Sequence, residues 1–205
     1  MKAIVCNNFG PIRDIEYKDV DEPNLNEDSI LIKVSSVGVN FPDGLLVQGK
    51  YQLKPDTPFI PGMEVAGEVI ELGSNVSDFK IGDRVAGLSR LSGYAEKAAV
   101  NFSSVFKIPE YMSYDDACAL LCAYGTSHYA LKQRGNLKKG ETLVVLGASG
   151  STGIAAIQIG KIMGAKVIAV ASNSEKQKIA EENGADLSIG YDNLKEKLKE
   201  ISAGK

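Results

Sequence analysis

The chain has 205 residues, 44% of them hydrophobic and 24% charged, which is enough apolar material for one large or two small cores and excludes a disordered chain. A formal net charge of −3 excludes the basic field that draws nucleic acid, and the acidic excess is too small for a solvating tract. The start, Met1-Lys2-Ala3-Ile4-Val5-Cys6-Asn7-Asn8, lacks the apolar length of a secretory signal, and no later stretch reaches membrane-spanning length. Cys6, Cys118 and Cys122 are an odd set without framework spacing, so reduced thiols in a cytoplasmic protein are expected.

Up to about Pro109, short apolar segments alternate with Gly, Pro and Asn, the pattern of a mostly antiparallel β domain. Ile30, Ile32 and Val34 share one face of a strand. Further strands are predicted over residues 65–72, 83–88 and 94–100, with Gly73-Ser74-Asn75, Ile81-Gly82-Asp83 and Ser92-Gly93 as turns. The pattern then changes. Ser113 followed by Asp116 reads as a helix N-cap with an acidic first turn, and Ala117, Leu120, Tyr124 and Leu131 recur at helical spacing, predicting a helix that bridges two halves.

After Gly140 the order becomes strand, glycine-rich turn, helix, strand, helix, short strand, helix. Residues 143–146 form an unbroken apolar run, expected of a parallel strand covered on both faces. Ala155, Ile159 and Ile162 share one face of the next helix, which Gly164 stops. Residues 167–171 read as the second buried strand. Ser174 with Gln177 reads as a capping box for a helix ended by Gly184, and Leu194, Leu198 and Ile201 mark a last amphipathic helix. This is the β-α-β-α-β half of a doubly wound fold.

The turn Gly147-Ala148-Ser149-Gly150-Ser151-Thr152-Gly153 lies between a predicted strand and a predicted helix, the context in which a glycine pattern signals a dinucleotide. Gly150 would let the backbone approach a pyrophosphate, Gly153 would let helix and strand pack closely, and free N–H groups at the helix start would bind phosphate oxygens. No Gly-Lys-Ser/Thr follows, which excludes a Walker loop. The second strand ends at Ala171-Ser172-Asn173 without the carboxylate that binds a ribose 2′-hydroxyl, while Ser172 and Lys176 are placed to meet a 2′-phosphate. NADPH is therefore expected over NADH, although Lys176 reads equally well as a solvated helix lysine.

Gly62-Met63-Glu64-Val65-Ala66-Gly67, followed by Gly73 and Val76, resembles a signature of the medium-chain dehydrogenase/reductase superfamily with Met63 in place of its histidine. Phe79-Lys80 and Gly82-Asp83-Arg84-Val85 match the superfamily's next turn and strand, and the resemblance, which covers essentially the whole chain, is within it to the zinc-free quinone oxidoreductase branch. The resemblance implies α/β plus β architecture: a GroES-like, mostly antiparallel β domain over 1–122, then a partial Rossmann domain, a doubly wound parallel sheet, over 123–205, with the active site in the cleft between them. It also implies that Asn40, in Gly38-Val39-Asn40-Phe41-Pro42-Asp43, stands where the zinc-dependent branch has a cysteine. A thioether and an amide do not replace imidazole and thiolate around Zn²⁺, so no metal ligands are expected. His128 reads as a packing or capping residue, and Cys118 and Cys122, on one helix face, as buried small residues.

By the same resemblance, Asn40 and Tyr51 line the nicotinamide and substrate pocket, Thr126 contacts the nicotinamide end, and Tyr191 packs near the adenosine phosphate. Gln158 and Lys161 match the branch after the turn, where Ser151 departs from its common glycine. Tyr51 reads otherwise as a half-buried loop tyrosine, and Asp43 as a helix cap. The implied reaction is direct hydride transfer from NADPH to a quinone or similar conjugated carbonyl by a full-length homodimer, without a convincing proton donor in the chain. The superfamily continues past Ser202-Ala203-Gly204-Lys205 into a fourth strand, so weak NADPH binding, little turnover and an unpaired strand edge at 143–146 are expected of this polypeptide. An enoyl thioester or enone reductase and a non-catalytic binding or structural fragment remain as alternatives.

Overall fold

Two short strands, β1 (Lys2–Val5) and β2 (Glu16–Asp19), pair antiparallel at the start of the computed structural model, which describes residues 1–201. The alternation at 30–34 lies in β3 (Ser29–Val37), followed by α1 (Phe41–Val47), β4 (Glu64–Leu72), β5 (Arg84–Leu88), β6 (Lys97–Asn101) and β7 (Val105–Lys107). The last five strands form an antiparallel sheet in the order β6-β3-β4-β5-β7. Ile30, Ile32, Val65, Val69, Val85, Ala98 and Val100 from its inner face form one buried cluster. Each aliphatic side chain taken fully from water contributes about 1.5–3 kcal/mol, so this face holds the half together. The strand expected from residue 94 begins at Lys97. Tyr94 instead donates its N–H to the Pro61 carbonyl and accepts from Ile4 N–H, because β1 bridges the chain there before the main ladder starts.

The helix expected after Ser113 starts as foreseen: the Ser113 hydroxyl accepts the Asp116 N–H at 3.0 Å and caps α2 (Tyr114–Ala119). It is not one regular helix. The backbone widens to π spacing over Leu120–Tyr124, tightens in α3 (Gly125–His128) and widens again over Tyr129–Arg134. Contacts divide the chain into two compact units, Met1–Cys122 and Ala123–Lys205. Residues 202–205, which end the second predicted domain, lie outside the described residues.

The second unit holds β8 (Thr142–Leu146), α4 (Ser151–Ile162), β9 (Lys166–Val170), α5 (Ser174–Glu182), β10 (Leu187–Ile189) and α6 (Leu194–Ile201). Its three strands are parallel in the order β10-β9-β8, one wing of a doubly wound sheet. Three expectations need correction here. Residues 143–146 are not covered on both faces: Val145 is buried beside Ile157, but Val144 and Leu146 are 36% and 61% exposed, since β8 pairs only with β9 among the described residues and forms the sheet edge. Ile162, assigned to the inner face of α4, is 86% exposed; the buried positions are Gly153, Ala155, Ile157 and Gly160, because small residues let the helix approach the sheet. The cap of α5 is Asn173, whose side chain accepts the Lys176 N–H, and Gln177 instead donates to the Ala171 carbonyl.

Candidate functional site

Parallel pairing brings the ends of β8, β9 and β10 to one edge of the second unit, and each predicted cofactor-binding residue of these strands follows one of them. The turn after β8 leaves the strand through Gly147 (φ +63°), and buried Ala148 donates its N–H to the Val170 carbonyl at 3.2 Å. Half-buried Ser149 leads to Gly150, the N-cap of α4, which offers no side-chain cap. A Cβ at Gly150 would meet nothing nearer than the Gly147 carbonyl at 3.5 Å, whereas a Cβ at Gly153 would lie 2.5 Å from that carbonyl and 2.8 Å from Ala148 Cα. Gly153 thus serves close packing of helix and strand, whereas the space beside the Gly150 Cα is open.

Besides Ala148, two more turn amides are engaged within the chain. Gly150 N–H donates to the Gly147 carbonyl, and Gly147 N–H donates to the Tyr191 hydroxyl at 2.9 Å. The N–H groups of Ser151, Thr152 and Gly153 begin α4 and have no partner inside the helix, while the helix dipole adds partial positive charge there. Ser151 and Thr152 are exposed, as are Ser172 and Lys176 after β9 and Tyr191 after β10. Thr126 is exposed on α3, whose neighbouring Ser127, buried, donates its hydroxyl to the Thr152 carbonyl at 2.8 Å and so fixes α3 against the start of α4. Gln158 and Lys161 are structural: Gln158 bridges the Tyr124 hydroxyl and Asn183, and Lys161 pairs with Asp186 at 2.6 Å. His128 is exposed in the last turn of α3 and is not a buried packing residue.

In the first unit, Asn40 is the N-cap of α1. Its N–H donates to Asp43 Oδ2 at 2.8 Å and its Nδ2 donates to Glu64 Oε1 at 2.7 Å. Asp43, 3% exposed, closes the first turn of α1 and also accepts from the Tyr94 hydroxyl at 2.9 Å, while its Oδ1 has no partner among the described residues. Burial pushes the Asp43 carboxyl up, against hydrogen bonds from Asn40, Tyr94 and Gly62, and burial with the Asp43 charge pushes the Tyr94 hydroxyl up as well. Tyr51 lies in the loop after α1, packed against the cluster of Cys6, Leu46, Val47 and Phe59. It lines a cavity of about 650 Å³ with Met63, Leu88, Ser89 and Arg90, whereas Asn40 lines one of about 470 Å³ with Phe41, Asp43 and Tyr94. The structure thus places the two predicted catalytic residues in the same unit but on different cavities.

Sequence reasoning missed Glu64 and Tyr94 as partners of Asn40 and Asp43. The available signal was Glu64 itself, a single acid opening the apolar run of β4, where burial demands hydrogen-bond partners. Cys118 is buried and its thiol is pushed up to about 12, first by burial and then by the Glu64 charge; Cys122 is half-buried. Among the described residues, no group of three or more His, Cys, Asp or Glu side chains is gathered to hold a metal ion, and no helix is long and apolar enough to cross a membrane.

An antiparallel β unit followed by a parallel-sheet unit with a glycine-rich strand-to-helix turn defines an architecture of GroES-like and Rossmann type. The model of the alcohol dehydrogenase GroES-like domain matches residues 26–110, and that of the zinc-binding dehydrogenases matches residues 151–205. A quinone oxidoreductase-like protein 2 homolog of Nematostella vectensis is 41% identical over 99% of this chain and 56% of its own length, and the Homo sapiens quinone oxidoreductase is 38% identical over 90% and 57%. The structure of the Escherichia coli quinone oxidoreductase complexed with NADPH superposes with a TM-score of 0.94 at 29% identity, covering 100% of this chain and 64% of that one. The chain belongs to the medium-chain dehydrogenase/reductase superfamily, in its quinone oxidoreductase branch. It spans little more than half the length of these curated relatives.

Proposed function

We propose that this chain carries the substrate-side unit and the phosphate-binding wing of an NADPH-dependent oxidoreductase that reduces quinones or similar conjugated carbonyls without zinc. The observation that carries it is the open space beside the Gly150 Cα, set before the uncapped start of α4 and beside a β9 end that lacks an acid. Quinone oxidoreductase relatives, one of them solved with NADPH, support the cofactor and the acceptor class.

In this reading residues 1–122 are the catalytic domain and residues 123–205 the first half of the NADP-binding domain. Backbone amides at Ser151, Thr152 and Gly153 hold the pyrophosphate, with Ala148, Ser149 and Gly150 shaping the turn beneath it. Ser172 and Lys176 meet the 2′-phosphate, Tyr191 borders the adenosine side through its bond to Gly147, and Thr126 meets the nicotinamide end. Bound NADPH supplies a hydride. Asn40, whose Nδ2 has a second hydrogen beyond the one given to Glu64, orients the acceptor carbonyl, and Tyr51, on the neighbouring cavity, borders the rest of the acceptor. The zinc-free element rests on the donor set, since Asn40 and Met63 stand where a thiolate and an imidazole are needed. Cys6, Cys118 and Cys122 are in no disulfide among the described residues, which suits the cytoplasm, and a homodimer is the assembly proposed from the branch.

Cofactor fluorescence decides the matter, because the chain has no tryptophan to interfere. NADPH is expected to bind at least about tenfold more tightly than NADH, a difference of ~1.4 kcal/mol, and Lys176→Ala to remove most of it. Equal binding of the two nucleotides by the unaltered chain would reject the cofactor assignment. Turnover on a quinone panel set against an enoyl thioester panel then tests the acceptor; faster enoyl reduction replaces the proposed substrate.

A further inference from the structure

Glu64 opens β4, is 3% exposed, and has both carboxylate oxygens engaged by groups distant in sequence: Oε1 by Asn40 Nδ2 at 2.7 Å and Oε2 by Cys122 N–H at 2.8 Å. In a regular α-helix the Cys122 amide would donate to the Cys118 carbonyl. It donates to Glu64 where the helix widens to π spacing over Leu120–Tyr124, and a side chain entering the helical ladder is a recognised cause of such widening. Space for the carboxylate is made by Gly38, where a Cβ would lie 1.9 Å from Oε1 and 2.5 Å from Cδ. Any other residue at 38 would displace the acid.

We infer that Glu64 is the positioning residue that sets the orientation of the Asn40 carboxamide. The inference rests on the proposed role of Asn40. A carboxamide has two ends of nearly equal shape and opposite hydrogen-bonding sense; a carboxylate accepts only, so Asn40 must turn its nitrogen to Glu64 and its oxygen away. The same acid ties that orientation to the turn that ends the first unit at Cys122, four residues before Thr126. Glu64 does not touch the substrate; by holding one Nδ2–H of Asn40 it fixes the direction in which the second Nδ2–H is offered to the acceptor carbonyl.

The test is amide NMR of the whole chain. In the unaltered protein the Asn40 side-chain NH₂ pair, assigned by its loss in Asn40→Asp, is expected to be protected from exchange and displaced from ordinary asparagine shifts. Glu64→Gln leaves a donor facing a donor at Asn40 or at Cys122, so the side-chain pair is expected to exchange at least tenfold faster and the Cys122 amide to move with it, while β9 amides stay in place. Unchanged Asn40 resonances in a folded Glu64→Gln chain would overturn the inference. Should that variant not fold, the reciprocal pair Asn40→Asp with Glu64→Gln decides: the new carboxamide at position 64 can then donate to the new carboxylate at position 40 and accept from the Cys122 N–H. Recovery of the fold and of Cys122 protection supports the inference, and failure of the pair to recover refutes it. Lack of quinone turnover by the unaltered chain counts against the proposed function and not against these resonances.

Discussion

Replacing Gly153 by alanine and Gly150 by alanine adds the same methyl group three residues apart and is expected to produce opposite phenotypes. At Gly153 the new carbon would sit 2.5 Å from the Gly147 carbonyl oxygen and 2.8–2.9 Å from the Ala148 backbone, with buried helix on one side and strand end on the other. None of those atoms belongs to a flexible side chain, so α4 must move off β8. Overpacking of this kind costs about 3 kcal/mol, which in a domain of this size lowers Tm by roughly 10–20 °C. At Gly150 the methyl meets only an ordinary contact at 3.5 Å and the backbone, at φ −81° and ψ 163°, suits any residue. Stability there should change by less than about 1 kcal/mol, while NADPH binding is expected to weaken at least about tenfold because the methyl would occupy the proposed pyrophosphate face. Thermal unfolding and cofactor fluorescence on the two variants separate the effects. A Gly153→Ala chain with unaltered Tm, or a Gly150→Ala chain that binds NADPH normally, would refute the division of labour between the two glycines.

Two pH experiments have opposite expected signs. Burial raises the Asp43 carboxyl in the folded chain, so its protonated form is favoured there; its contribution to stability is complete below the unfolded value of about 3.9 and is lost as pH rises through the folded value. The stability of the unaltered protein relative to Asp43→Asn should therefore fall with rising pH, at up to ~1.4 kcal/mol per pH unit within that window, and a difference constant across the acidic range would show that Asp43 titrates normally. Asp186 is held below the usual carboxylate range by Lys161 and by the Val167 N–H, so its contribution is present above about 3.9 and is lost as pH falls through the folded value. Asp186→Asn should flatten only that acid limb, and modestly, because the pair is about a third exposed and screened by solvent; urea unfolding at several acidic pH values reads it directly.

Much of this protein is legible along the chain because its signals are local. Gly147, Gly150 and Gly153 between an apolar run and a helical period announce a tight strand-to-helix turn, since backbone conformation and close approach are properties of single residues. Ser113 announces α2 for the same reason, through a bond to a residue three positions on. Met63 and Asn40 argue against a zinc site by ligand chemistry alone. What the tertiary structure decided are the contacts between distant segments. Asn173 takes the cap that Ser174-Gln177 suggested, because the chain leaves β9 in an extended conformation one residue earlier. Ile162 obeys the helical period yet faces outward, since the sheet selects Gly153, Ile157 and Gly160 by closeness of approach. Asn40 and Glu64 are 24 residues apart, and Glu64 and Cys122 are 58 apart, so a buried acid that satisfies both emerges only when β4 carries it beneath Gly38. Periodicity records which side of an element is apolar; which particular groups meet inside is set by the packing of elements that the chain order does not place side by side.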